Sequence, residues 1–307
     1  MDNYSAFLLI SGVIIFGGFL FFWGKYKKHS LCLLAATIVF ISVTPSPALS
    51  EYPASNPVSV ITIRGVEYCT SLTSLDLDGM ELRDEDIAPL RYMTDLIALD
   101  LSGNQINDIT PLGNLVNLNF LNLSHNQIND IIPLASLVNL EWLLLHNNQI
   151  SNITPLDNLV NLNYLNLNRN QINDITPLTS LVNLIWLFLS NNQINDVTPL
   201  TSLVNLTELS LWNNQISDIT PLINLVNLTS LGLSINQISN VTPLTNLINL
   251  TSLYLFNNQI NDITPLASLV NLERLILANN QISDARPLTG LINLRESNLE
   301  GNPIIYR

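Results

Sequence analysis

From about residue 96 to the C-terminus, apolar and polar positions recur with a period of 22. One copy runs Leu118-Asn-Phe-Leu121-Asn-Leu123-Ser-His-Asn126-Gln-Ile128-Asn-Asp-Ile131-Ile-Pro133-Leu134-Ala-Ser-Leu137-Val-Asn139. Leu121 and Leu123 alternate with polar neighbours, the pattern of a short strand with one buried face. Ile128, Ile131, Leu134, Leu137 and Leu140 follow at a spacing of three, which fits a tight 3₁₀-like return better than a full α-helix. Pro133 stands at the start of that return, where its missing N–H is not needed. A single unit would have nothing to bury its leucines against, whereas stacked copies bury them in one continuous core. Their strands are then expected to pair in parallel, about 4.8 Å apart.

One position of the unit is polar and never varies: Asn104, Asn126, Asn148, Asn170, Asn192, Asn214, Asn236, Asn258, Asn280 and Asn302. The turn out of each strand leaves backbone groups in the interior that must find partners. Asparagine carries both a donor and an acceptor, so a stacked column of it is expected to bridge adjacent turns. Through L-x-x-L-x-L-x-x-N at a fixed period, followed by N-Q-I-x-D-I-x-P-L-x-x-L-x-x-L, the chain resembles the leucine-rich repeat family, and within it the bacterial internalin-like type, over residues 61 to 307. The resemblance implies an α/β repeat solenoid: a right-handed superhelix with a parallel β-sheet on the concave face and 3₁₀-like or irregular returns on the convex face.

Asp108, Asp130, Asp174, Asp196, Asp218, Asp262 and Asp284 follow the ladder asparagine by four residues. An aligned acidic spine could suggest calcium. Each aspartate, however, sits just before the return, and Asn152 and Asn240 fill the same slot, so capping of the exposed N–H groups is expected instead.

Upstream of the repeats the pattern changes. Residues 6–24 carry no charge and nearly reach the roughly 20 residues of a bilayer-spanning helix. Lys25, Lys27 and Lys28 follow and are expected to stay cytoplasmic. Within a second segment, 31–49, the apolar run from Leu31 to Val43 is short for a spanning helix and right for a signal-peptide core, with Ala48-Leu49-Ser50 as a cleavage site. Three arrangements are consistent with this: a retained hairpin that tethers the protein, a cleaved signal, or a true start near Trp23. The expected organisation is a membrane/export region over 1–50, a linker over 51–60, an N-terminal half-repeat cap over 61–71 and repeats over 72–307. The half-repeat rests on Ile63, Val66, Cys69 and Leu72, which match the spacing of Ile109, Leu112, Leu115 and Leu118. Cys69 then occupies a leucine slot and is expected to be a buried, inert thiol.

Candidate chemistry is sparse. No Ser/His/Asp or Cys/His constellation, phosphate loop or metal spacing appears, so no enzyme, cofactor or metal is expected. His125 and His146 lie in consecutive units but at different positions of them. Residues 51–307 hold no lysine and eight arginines against 23 acids, and the whole chain has a net charge of −13; such an electronegative surface speaks against nucleic acid.

The outward-facing strand positions carry more information. Residues six, four and two before the ladder asparagine point away from the core. The first column is aromatic four times running, Phe120, Trp142, Tyr164 and Trp186; the second adds Phe188 and Tyr254, and the third Trp212 and Phe256. From 120 to 256 these columns carry one formal charge, Glu208. An apolar patch of this kind marks an interaction site, and aromatics dominate binding energy; stacked rings also suit sugars. Internalin-like proteins bind partners through concave-face aromatics, so the resemblance implies the same use here. No helical cap precedes the repeats, no immunoglobulin-like module follows them and no wall-sorting motif ends the chain, so host-cell invasion is not expected. The expected function is an exported, membrane-tethered protein, or a secreted or periplasmic one after signal cleavage, that binds a protein or glycan on its concave face. A cytoplasmic scaffold or phosphatase-regulator-like repeat protein is the alternative.

Overall fold

The computed structural model describes residues 13–16, 19–22 and 59–305. Two compact units divide the chain, 1–50 and 51–307. In the first, β1 (Val13–Phe16) and β2 (Phe19–Phe22) pair antiparallel. This corrects the expected spanning helix at those eight positions. The physical reason is in the sequence: a Val/Ile/Phe-rich run interrupted by Gly17-Gly18, a two-residue hairpin signal. The rest of 6–24, segment 31–49 and residues 51–58 of the linker lie outside the described residues. Among the described residues no helix is long and apolar enough to cross a membrane.

The second unit opens with β3 (Val60–Ile63) and β4 (Val66–Cys69), an antiparallel hairpin. The expected half-repeat is therefore corrected: residues 61–71 begin as a two-stranded hairpin rather than a return. Arg64 and Gly65 both have positive φ, 47° and 80°, the condition for a tight two-residue turn. Ile61, Ile63 and Tyr68 are buried, so one face of the hairpin joins the core. Arg64 also reaches into the first repeat, donating to the carbonyls of Met80 (3.0 Å) and Glu81 (2.6 Å) and pairing with Asp86 (3.2 Å). It satisfies backbone groups where Met80 stands in place of a ladder asparagine. Cys69 is half-buried and is not a free thiol, which corrects the expectation of an inert one.

One helical turn, α1 (Asp84–Ile87), occupies the irregular first repeat. Eleven three-residue strands then form one parallel sheet in sequence order: β5 (Ser74–Asp76), β6 (Ala98–Asp100), β7 (Phe120–Asn122), β8 (Trp142–Leu144), β9 (Tyr164–Asn166), β10 (Trp186–Phe188), β11 (Glu208–Ser210), β12 (Ser230–Gly232), β13 (Ser252–Tyr254), β14 (Arg274–Ile276) and β15 (Glu296–Asn298). Each return contains a short 3₁₀ segment with proline at its start, such as Thr154–Leu156. The leucines and isoleucines of the repeat are almost wholly inaccessible, with Leu121, Leu123, Ile128, Leu134, Leu137 and Leu140 at 0% exposure.

The interior column is bonded across turns. Asn148 donates to the carbonyls of Leu123 (2.9 Å) and Leu145 (3.0 Å), and its carboxamide oxygen accepts the N–H of Ile128 (3.0 Å). The aspartates cap the returns: Asp108 accepts the N–H of Thr110 at 2.8 Å, and Asn152 does the same for Thr154 at 2.9 Å. These bonds hold the Asp108 carboxyl below its ordinary value.

Candidate partner-binding face

Because adjacent strands pair without slip, residues 22 apart stand side by side: Phe120 beside Trp142, Trp142 beside Tyr164, Tyr164 beside Trp186 and Trp186 beside Glu208. The rings use this registry. Trp142 and Tyr164 stack with centroids 4.7 Å apart and planes 5° from parallel. Trp186 leans onto Trp142 at 5.7 Å, and Phe188 joins Tyr164 at 5.4 Å. Four of the eight candidate aromatics thus form one cluster over β8 to β10. Trp212, Tyr254 and Phe256 make no ring contact among the described residues; Tyr254 instead accepts from the Arg274 guanidinium at 3.2 Å.

All eight aromatics are half-buried rather than exposed. Over β8 to β10 the rings of Trp142, Tyr164, Trp186 and Phe188 cover one another, so that cluster is a packed apolar bank. A file of exposed aliphatics lies elsewhere, from Val116 through Val138, Val160, Val182, Val204, Val226, Ile248 and Val270, each 43% to 51% exposed. Its period of 22 is legible in the sequence.

A polar groove of about 820 Å³ flanks the strands, lined among others by Asn117, Asn139, Asn161, Asn163 and Glu141. Its asparagines are tethered: Asn139 donates to the Val116 carbonyl at 2.8 Å and Asn161 to that of Val138 at 2.9 Å. This second asparagine file was unrecognised in the sequence, where it reads as part of the L-x-N-L lettering.

Charge on the face is confined. Burial pushes the Glu208 carboxyl above its ordinary value, and burial likewise raises the Tyr164 hydroxyl. Asp100 is buried but accepts from Ser102 (2.6 Å) and Asn122 (3.0 Å). His125 and His146 meet edge to face at 5.1 Å. Burial chiefly, then His125 and Arg169, lowers the His146 pKa to about 4, and its Nδ1 is buried with no partner among the described residues. Among the described residues no group of three potential ligands could hold a metal.

Four stretches of the chain, 94–136, 138–180, 182–224 and 226–268, match the family of leucine-rich repeats in two copies. Among solved structures, an internalin (InlF) of Listeria monocytogenes is 36% identical, covering 77% of each chain, with a TM-score of 0.68. A leucine-rich repeat protein of Leptospira interrogans is 25% identical, covering 76% of this chain and 73% of its own, with a TM-score of 0.57. The functional domain of InlJ from L. monocytogenes, 21% identical with a TM-score of 0.63, covers 78% of this chain and 57% of its own and shares the fold. Among curated proteins, none matches.

Proposed function

The chain belongs to the leucine-rich repeat family in its internalin-like form, and from that premise we propose that it is a non-enzymatic binding protein whose concave aromatic bank takes a protein partner. The observation that carries this reading is the Trp142–Tyr164–Trp186–Phe188 cluster. Four large rings gathered on the solvent side of a sheet contribute nothing to the leucine core, which is complete beneath them. Rigid aromatics of this kind supply contact area with little loss of rotamer freedom on binding. Phe120, Trp212, Tyr254 and Phe256 extend the surface along the sheet.

The same reading places the repeats outside the cytoplasm, delivered by the apolar segments 6–24 and 31–49. Protease shaving of intact cells tests the location: cleavage of the repeats from outside supports export, and protection until lysis favours the cytoplasmic scaffold. The binding claim is tested by comparing partner capture by the full chain with capture by the Trp142→Ala, Tyr164→Ala, Trp186→Ala triple variant. Capture is expected to fall at least tenfold while the far-ultraviolet circular dichroism is unchanged. Undiminished capture, or capture competed by free sugars alone, contradicts a protein partner at this bank.

A further inference from the structure

The Glu208 carboxylate stands at the edge of the aromatic bank, unengaged among the described residues. Its residue is in register with Trp186 across β10 and β11 and is half-buried. No hydrogen bond or ion pair engages its side chain among the described residues. Other charges of the face are engaged: Asp100 on β6 accepts from Ser102 and Asn122, and Arg274 on β14 pairs with Glu296 at 2.6 Å. On its other flank β12 offers only Ser230 and Gly232, so no bulky side chain shields it.

A partly desolvated, unmatched carboxylate destabilises the free protein. A cation beside it relieves that cost. The adjoining rings favour the same species, because tryptophan is the best aromatic face for an ammonium or guanidinium group. The net charge of −13 draws a basic partner toward the molecule at longer range.

Building on the reading of this face as a binding site, we propose that the partner is a basic polypeptide that lays an arginine or lysine side chain against Trp186, its cationic head on the Glu208 carboxylate. Recognition is then divided between the apolar bank over β8 to β10, which supplies area, and Glu208, which selects the charge.

The test is selection of a random dodecapeptide phage library on the full chain, followed by affinity measurement with a synthetic peptide of the selected motif. Four proteins are compared: the natural chain, Glu208→Gln, Glu85→Gln and the triple aromatic variant. Glu85 is exposed on α1 and removes the same charge away from the sheet columns. The expected result is a motif with arginine or lysine whose affinity falls about tenfold on Glu208→Gln and is unchanged on Glu85→Gln. Replacing the peptide's basic residue by glutamine should lose about tenfold on the natural chain and little further on Glu208→Gln. A basic motif that binds Glu208→Gln as well as the natural chain, or weakens equally on Glu85→Gln, overturns the inference. Selected peptides that lack basic residues yet lose binding on the triple variant overturn it while leaving the aromatic site standing. No selected peptide, or peptides indifferent to the triple variant, overturn both.

Discussion

The carboxamide oxygen of Asn148 accepts the N–H of Ile128, one turn back in the solenoid, at 3.0 Å. The same side chain holds the carbonyls of Leu123 and Leu145. Replacing Asn148 by alanine strands these groups away from water, at about 1–3 kcal/mol for each orphan. We expect Asn148→Ala to lose about 3 kcal/mol in urea unfolding. Asn302→Ala, in the last described turn where the asparagine is only half-buried, should lose about 1 kcal/mol by the same accounting. Equal losses at the two positions would contradict the interior ladder as the source of the effect.

Ile235 is the one β-branched residue in a left-handed column. The residue before each ladder asparagine has positive φ, and the occupants include Gly103, Asn147, Asn191, Asn213, Asn257 and Asn279, with Ile235 at φ 54°. A β-carbon costs roughly 1–2 kcal/mol there, and asparagine tolerates the conformation best after glycine. Ile235→Asn should therefore raise the urea midpoint by the equivalent of about 1 kcal/mol at constant slope. A lowered midpoint would show that Ile235 makes packing contacts worth more than the strain.

His146 gives the fold an acid sensitivity. Its unfolded ring titrates near 6.5 and its folded ring near 4. Between those values the unfolded chain binds a proton that the folded chain does not, so stability present above pH 6.5 is lost as the pH falls toward 4. With the ring's residual exposure discounted, the loss is about 1–2 kcal/mol. Melting of His146→Gln across pH 7 to 4 should be flatter than that of the natural chain by this amount. Parallel profiles would remove His146 from the account.

The Trp142–Tyr164 stack should couple energetically. Double-mutant cycles on alanine variants are expected to give about 0.5–1.5 kcal/mol of interaction. The bank therefore contributes some stability of its own, and the triple variant should melt a few degrees lower while keeping a cooperative transition. Zero coupling would mean that the rings merely lie near each other.

Much of this architecture is legible in the residues themselves. The fixed asparagine, the alternating leucines and the spacing of three place strand, ladder and return without ambiguity, because a repeat writes the same instruction many times over. Single-copy features are harder. Ile63, Val66 and Cys69 fit a return by spacing, yet Ile61 and Ile63 equally fit a strand, and Arg64-Gly65 decides for the hairpin. The aromatic columns are visible as positions, but not the leaning that packs Trp142, Tyr164, Trp186 and Phe188 together. That depends on χ angles, and a column of identities does not contain them. Glu208 is visible as a lone charge; that no described residue engages its carboxylate is a property of the folded arrangement.

The most direct measurement is site-specific photocrosslinking in the full chain, with p-benzoylphenylalanine placed at Tyr164 in the aromatic bank and, separately, at Val160 in the exposed aliphatic file. A crosslinked protein partner is expected from position 164 and none from position 160. Crosslinks from position 160 with none from position 164 would place the partner on the wrong face and contradict binding at the bank.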